Sequence, residues 1–131
     1  MIFVDTGALF ALLVATDANH AKALTWHKAA PRDLVTTDHV VFELLTLLRA
    51  KGHNHKAIAV GRRLFAGELV RLERAGPDDI QAAWRIFQQF HDKRWSFTDC
   101  VSRTVMERLD IREAFAFDEH FRQFGIVTVV P

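Results

Sequence analysis

The sequence predicts an α/β fold in which a parallel β-sheet is covered by helices on both faces. Short apolar segments without polar alternation recur along the chain, which is typical of strands buried on both sides. Segments with helical spacing of their apolar residues separate these strands, so the two kinds of element alternate. The 131 residues are 50% hydrophobic and 25% charged, a globular composition, and we predict a single domain over residues 1–131.

The first half of the chain contains two predicted strands and four predicted helices. Strands are assigned where β-branched and aromatic residues cluster, and helices where apolar spacing is helical and a capping or breaking residue marks an end. In chain order these elements are a strand at Ile2–Val4, a helix capped by Thr6 and running to Leu13, a helix from about Ala18 to Ala30 stopped by Pro31, a strand at Leu34–Thr37, a helix opened by Asp38 and ending near Gly52, and a helix from about His55 to Phe65 closed by Gly67.

The second half continues the alternation. Pro77 suits the first turn of a helix, and Asp78 and Asp79 suit its positive end. In chain order the predicted elements are a strand at Leu69–Leu72, a helix from Pro77 to Phe90, a helix opened by Ser96 and running to Leu109, a strand at Ala114–Phe117 that ends at Asp118, a short helix around His120–Phe124 and a last strand at Ile126–Val130.

Two acidic residues follow predicted strands directly. Asp5 ends the first strand and Asp118 ends the fourth. Ligands of such sheets bind outside the carboxyl ends of the strands, so both side chains are expected at the binding edge. Each residue also precedes a helix, and a capping role alone would equally explain either one.

Two further acids lie on predicted helices. Glu43 lies three residues after Val40 and four before Leu47, so it is expected on or beside the apolar face, where an ionised carboxylate needs a compensating cation or donors. A salt bridge to an arginine is the alternative to a metal. Asp99 follows Ser96 at capping-box spacing. Capping explains this carboxylate without any function, but it also places the carboxylate at a helix start, near the strand ends.

Several carboxylates in one place resist ionisation unless a cation joins them. Oxygen ligands favour Mg²⁺ or Mn²⁺ over Zn²⁺. Such an ion binds a phosphate oxygen and activates a water molecule, which suits phosphodiester hydrolysis. The seven histidines offer a rival metal site, but they form no His-Glu-x-x-His arrangement, and we interpret them as surface or satisfied histidines. No glycine-rich phosphate motif or Ser/His/Asp nucleophile pattern is found.

Composition and charge distribution set the expected compartment and partners. The one cysteine, Cys100, cannot form an internal disulfide, and no positive stretch precedes the apolar residues 7–15, so we expect a cytoplasmic protein. The net charge is only +1, yet residues 44–67 contain no acid. This basic stretch suits either a polyanion or a solvated helical face. Its cations are Arg49, Lys51, Lys56, Arg62 and Arg63, and His53 and His55 lie in the same stretch.

Four segments together resemble the PIN-domain ribonucleases, and more narrowly the VapC-like toxins of bacterial toxin–antitoxin pairs. They are Ile2–Gly7, Glu43 in its helix, Ser96–Cys100 and Phe117–Phe121. The resemblance implies a three-layer α/β/α domain with a five-stranded parallel sheet. It also implies that Asp5, Glu43, Asp99 and Asp118 hold Mg²⁺ or Mn²⁺ and direct water onto an RNA phosphodiester, with Thr6 and Thr98 supporting the site.

The same resemblance implies partners. VapC-like proteins usually form homodimers, and a cognate antitoxin blocks the active site with a peptide arm. The basic stretch would then border the groove and hold RNA phosphates without reading bases. The family commonly has alanine where this chain has Cys100, a change that threatens none of the four acids.

Two other functions fit an acidic Mg²⁺ site on a doubly wound sheet. A phospho-accepting receiver module pairs adjacent acids after the first strand with a late lysine, but Asp5 stands alone and no lysine follows Lys93. A non-catalytic binding module could retain the acids for stability. The presence of all four acids favours the nuclease.

Overall fold

The computed structural model of the chain describes residues 1–29 and 33–131. Within these residues, strands and helices alternate from one end to the other. The elements are β1 (Ile2–Val4), α1 (Thr6–Leu13), α2 (His20–Ala29), β2 (Leu34–Thr37), α3 (Asp38–Ala50), α4 (Asn54–Phe65), β3 (Arg71–Glu73), α5 (Pro77–Gln89), α6 (Phe97–Arg108), β4 (Glu113–Phe115), α7 (His120–Gln123) and β5 (Thr128–Val130).

The five strands form one sheet in the order β3-β2-β1-β4-β5, and every pair is parallel. Phe3 of β1 is in register with Val35 of β2 on one side and Ala114 of β4 on the other. β1 therefore lies at the centre of the sheet, which explains why all three of its residues are buried and apolar. The predicted fold, a five-stranded parallel sheet flanked by helices, is confirmed.

Aromatic side chains fill much of the space between the sheet and the helices. The ring of Phe3 stacks on that of Phe121 in α7 with centroids 5.9 Å apart, and Phe115 of β4 packs against Trp26 of α2 at 4.2 Å. Phe3, Phe115 and Phe121 are fully buried. This packing fixes α2 and α7 against the central strands and so anchors the loops at their ends.

Several predicted helix boundaries are confirmed by the local geometry. The Ser96 hydroxyl accepts the Asp99 N–H at 3.0 Å and caps α6, as the sequence predicted. Gly52 and Gly67, predicted to end α3 and α4, have φ of 83° and 72°. These left-handed conformations suit glycine because it has no Cβ.

Other boundaries differ from the prediction. Thr6 is the first residue of α1 and Asp5 is its N-cap, so the predicted capping role of Thr6 is wrong. The β3 strand is Arg71–Glu73 rather than 69–72, and β5 begins at Thr128 rather than 126. The predicted end of the second helix, at Ala30 and Pro31, lies outside the described residues.

The end of β4 has the largest consequence. This strand stops at Phe115, so Asp118 does not terminate the strand as predicted but lies in the loop beyond it. β4 is hydrogen-bonded to both β1 and β5, and its length is set by those two neighbours, which the sequence of β4 does not reveal. No helix among the described residues has the length and apolarity needed to cross a membrane.

Candidate metal centre

Asp5 lies at the carboxyl end of the central strand. Its backbone N–H donates to the Phe115 carbonyl at 3.0 Å, and its own carbonyl accepts the Leu9 N–H, so the backbone is fixed on both sides. The residue is only 4% exposed, and its side chain makes no capping hydrogen bond to α1. Burial raises the pKa of Asp5 well above its ordinary value, and the charges of Asp118 and Asp99 raise it further. A hydrogen bond from the Thr6 backbone N–H acts in the opposite direction, so the Asp5 carboxylate contacts the start of α1 but lacks the side-chain hydrogen bond of an N-cap.

Asp99 is positioned by the capping box of α6. Its Oδ2 atom accepts the Ser96 N–H at 2.9 Å and also lies 2.7 Å from His120 Nδ1. Asp99 is 6% exposed. Burial raises its pKa, and the charge of Asp118 adds to this, although the hydrogen bonds from Ser96 and His120 act in the opposite direction.

Asp79 occupies the same capping-box position in α5 but has a different charged neighbour. Its carboxylate accepts the Gly76 N–H at 3.0 Å and two hydrogen bonds from the Arg108 guanidinium, at 2.8 and 3.0 Å. Burial acts to raise the pKa of Asp79, but the Arg108 and Gly76 hydrogen bonds and the Arg108 charge lower it overall. Two acids with the same local role thus differ in charge environment, because Asp79 faces a guanidinium and Asp99 faces other carboxylates.

Asp118 and His120 come from the loop after β4 and the first residue of α7. Asp118 Oδ1 accepts the His120 N–H at 3.0 Å, which fixes the loop. The Asp118 side chain is 45% exposed. One ligand atom each from Asp99, Asp118 and His120 lie within 4.8 Å of one another, so these three could hold a metal ion together.

Glu43 lies at the margin of the cluster. It is an exposed residue beside buried Leu44 on α3, so the expectation that it avoids the solvent side is wrong. Its carboxyl group is nevertheless near the other acids: partial burial raises the pKa of Glu43, and Asp99 and Asp118 raise it further, while a hydrogen bond from Thr98 lowers it. Among the described residues, Glu43 forms no ion pair with an arginine, the alternative that the sequence left open.

The donor set suits a hard divalent cation. Carboxylates that raise one another's pKa are stabilised when a cation joins them, and oxygen donors predominate. Next to Asp5, the Thr6 hydroxyl is buried and has no hydrogen-bond partner among residues 1–29 and 33–131. Buried polar atoms are seldom left without a hydrogen-bond partner. A buried hydroxyl that lacks one, next to the acids, is consistent with a hydrated ion at this position.

His120 is a candidate site residue that the sequence analysis did not propose, since all seven histidines were interpreted as surface or satisfied residues, and its contact with Asp99 fits the second of these. Its position two residues after Asp118 was the available signal. Its contact with Asp99, 21 residues earlier, depends on how α7 packs beside the start of α6. The presence of an imidazole also qualifies the expectation of oxygen ligands alone, because imidazole is compatible with transition metals.

The basic stretch does not form one surface. Lys51 and His53 lie in the cleft that includes Asp118, whereas Arg49 and Arg62 line a separate groove between α3 and α4. Lys56 Nζ donates to the Leu13 carbonyl, and Arg63 pairs with Glu68 at 3.3 Å. Lys51 is thus the lysine of this stretch that shares a cavity with Asp118, and His53 lines the same cavity.

Comparisons with known proteins identify the family and several similar chains. The PIN domain family model matches residues 2–127. The 23S rRNA-specific endonuclease VapC20 of Mycobacterium tuberculosis is 36% identical over 132 residues, covering 100% of this chain and 99% of that protein. Ribonuclease VapC26 of the same organism is 29% identical over 136 residues, covering 99% of this chain and 100% of that protein. The crystal structure of VapC20, described as a Sarcin-Ricin loop cleaving toxin, superposes with a TM-score of 0.92 at 33% identity, with both chains fully covered.

Proposed function

The chain belongs to the PIN domain family as a VapC-type endoribonuclease toxin, and from this premise we propose that it hydrolyses RNA phosphodiester bonds at the acidic cluster with Mg²⁺ or Mn²⁺. Asp5, Glu43, Asp99 and Asp118 are the proposed site residues. The receiver-module alternative lacks support, because the similar proteins are ribonucleases.

The four acids have different environments, which supports different parts in the reaction. Asp5 and Asp99 are buried and held by neighbouring hydrogen bonds, so they are the proposed metal ligands with the most rigid positions. Asp118 and Glu43 are exposed, and we propose that RNA and water reach the metal site from their side. When bound, the cation supplies charge neutralisation of the phosphate and a lowered pKa for attacking water.

His120 is proposed as a positioning residue. Its Nδ1 lies 2.7 Å from Asp99 Oδ2, and its backbone N–H donates to Asp118 Oδ1 at 3.0 Å, so this one residue can hold both carboxylates in place. A hydrogen bond of this kind fixes a ligand and tunes its basicity. We retain Mg²⁺ or Mn²⁺ as the cofactor because carboxylate oxygens outnumber the imidazole.

The proposed substrate is the 23S ribosomal RNA, at or near the sarcin–ricin loop. The main support is the similarity to VapC20, which covers the full chain in sequence and in fold. VapC20 is named for that substrate. We further propose one PIN-like domain over residues 1–131 and a cytoplasmic location. The RNA substrate is found there, and Cys100 is buried and cannot form an internal disulfide.

We expect the purified protein to cut 23S rRNA in isolated ribosomes in the presence of Mg²⁺ or Mn²⁺, and to lose this activity after chelation. Primer extension across the whole 23S rRNA locates new 5′ ends without assuming a site. Restoration by Mg²⁺ or Mn²⁺ but not by Ca²⁺ would separate metal-dependent hydrolysis from a contaminating metal-independent ribonuclease. New ends in another RNA alone would contradict the proposed substrate but leave the ribonuclease assignment intact.

We also propose the two protein partners that the family implies, a cognate antitoxin and a second copy of the chain. Two exposed apolar regions support them. The groove between α3 and α4, about 760 Å³, is lined by apolar Leu45, Ile58 and Phe65 with Arg49 and Arg62 among the polar residues, and it suits an apolar peptide arm bearing acidic residues. The outer face of α5 exposes Trp84 and Phe87, which stack at 5.9 Å, and it suits the second copy.

We expect a dimer of the wild-type protein at micromolar concentration and a shift towards monomer in Trp84→Glu. Trp84 is 49% exposed, so a charge there costs little in the monomer but is buried in a dimer built on α5. Ile126→Glu is the matched control, since Ile126 is 50% exposed and lies elsewhere, before β5. Sedimentation velocity measures both. A monomeric wild type would contradict the homodimer, and equal effects of the two substitutions would contradict the α5 face.

A further inference from the structure

A cleft of about 690 Å³ opens beside the metal centre and runs along α1. Asp118 lies in its wall, together with Gly7 and Phe10 of α1, and Lys51 and His53 at the end of α3. The volume is within the ~300–1,000 Å³ typical of ligand clefts. None of the four acids except Asp118 lines it, so the cleft is an extension of the site rather than the metal centre itself.

Gly7 keeps one wall of this cleft free of side chains. It lies in the first turn of α1, where its backbone is helical and φ is not positive, so conformation does not require glycine. A Cβ added at this position would meet no atom within 4 Å. Glycine in a helix costs about 1 kcal/mol relative to alanine, so an open space is gained at the expense of helix stability.

Two aromatic rings supply flat apolar surface in the cleft. Phe10 and Phe117 are both partly exposed there. The ring of Phe10 meets that of His53 edge-on at 6.3 Å, and Phe117 meets buried Phe115 edge-on at 5.8 Å. Rings held by such contacts present a fixed face, and a nucleobase stacks on such faces with little regard to sequence.

The cleft is lined by two carboxylates, Asp17 and Asp118, and by one lysine, Lys51, so a phosphate is favoured only at the lysine. Lys51 is exposed, and among the described residues it forms no ion pair. Asp17 also lines the cleft, but its Oδ2 accepts the Asn19 N–H at 2.9 Å and so is engaged in a local turn. A free ammonium beside an aromatic wall matches the backbone and base of one nucleotide.

We propose that this cleft holds one unpaired nucleotide next to the cleaved bond, with its base against Phe10 and Phe117 and its phosphate at Lys51. The inference rests on the proposed function, which it deepens by naming the residues of this chain that would hold one nucleotide of the RNA. A base within a duplex has its faces covered by its neighbours and cannot enter. Cleavage is therefore directed to loops and single-stranded segments.

RNA binding tests the cleft independently of cleavage. In an Asp99→Asn background, we expect Gly7→Leu and Lys51→Ala to weaken binding of a fluorescent single-stranded RNA of about 12 nucleotides by about tenfold. Lys51→Ala should also reduce the slope of log K against log salt by about 0.7, the value for one phosphate contact on a single strand. Binding of the corresponding RNA duplex should not change in either variant.

Lys28→Ala and Gly76→Ala are matched controls. Lys28 is an exposed lysine of α2 outside the cleft, and Gly76 is another glycine with open space around it and no positive φ. Both should bind single-stranded RNA within about twofold of the parent. Thermal melting shows whether Gly7→Leu folds, and if it does not, Lys51→Ala and Gly7→Ala decide the question.

The outcomes separate the cleft from the enzymatic assignment. Folded cleft variants that bind single-stranded RNA like the parent overturn the inference even if the wild type cuts ribosomal RNA. Weakened binding with a reduced salt slope supports the cleft even if the wild type cuts no RNA, in which case only the proposed function fails. Equal weakening of single-stranded and duplex RNA overturns the requirement for an unpaired nucleotide.

Discussion

Asp99→Asn is expected to lower the cleavage rate at least about 10³-fold while the fold is retained. The substitution removes a buried charge from the metal centre, and charge stabilisation by a bound cation contributes several kcal/mol, each ~1.4 kcal/mol of which is a factor of ten in rate. The side-chain oxygen of the substituted asparagine can still accept the Ser96 N–H that Asp99 accepts at 2.9 Å. Single-turnover cleavage of the mapped RNA at saturating Mg²⁺ measures the loss, and thermal melting verifies the fold.

Asp79→Asn provides the matched control. Asp79 is the corresponding capping-box residue of α5 and is equally buried, at 7% against 6% exposed, but it pairs with Arg108 away from the site. We expect this variant to lose some thermal stability and to cleave at the wild-type rate. Asp99→Asn cleaving within about threefold of wild type would remove Asp99 from the site. Equal losses in the two variants would mean that capping, not metal chemistry, explains the effect.

Asp5→Asn is expected to abolish cleavage and yet to stabilise the metal-free protein at neutral pH by about 1–2 kcal/mol. The reason is that Asp5 is buried near the carboxylates of Asp118, Asp99 and Glu43. Its negative charge is therefore unfavourable when no cation is present. Asparagine has nearly the same shape and carries no charge. Chemical denaturation in metal-free buffer and again with Mg²⁺ measures the difference, which should shrink or reverse when the ion is added.

The pH dependence of this difference has a definite sign. The pKa of Asp5 is raised in the folded state, so the folded chain holds this proton more firmly than the unfolded chain does. The contribution to stability is present below the ordinary carboxyl pKa of 3.8 and is lost as pH rises through the raised pKa. The advantage of Asp5→Asn over wild type should therefore be absent in acid and grow towards neutral pH.

Asp38→Asn is the control for this second prediction. Asp38 is in the first turn of α3, and its Oδ1 accepts the Ala75 N–H at 3.2 Å and the His39 N–H at 3.0 Å. A negative charge at a helix N-terminus is favourable, so its removal should lower stability or leave it unchanged. A gain in stability from Asp38→Asn as large as that from Asp5→Asn would show that the effect is not specific to the acidic cluster.

Much of the fold was predictable because its signals are local. The central strand is recognisable from three consecutive apolar residues that are buried on both sides, and α6 from a serine and an aspartate at capping-box spacing. Each of these signals depends on residues a few positions apart. They also place Asp5 directly after the central strand and Asp99 in the first turn of α6.

The sequence alone therefore determined the alternation of strands and helices, the parallel sheet, and the approach of several acids to one edge. Tertiary packing decided the rest: where β4 stops, that Glu43 is exposed at the margin, that His120 contacts Asp99, and that the basic stretch divides between two cavities. The physical reason is the distance along the chain over which each interaction acts. Capping and periodicity act between near neighbours, whereas strand length, solvent exposure and contacts across the site depend on elements that only the folded chain brings together.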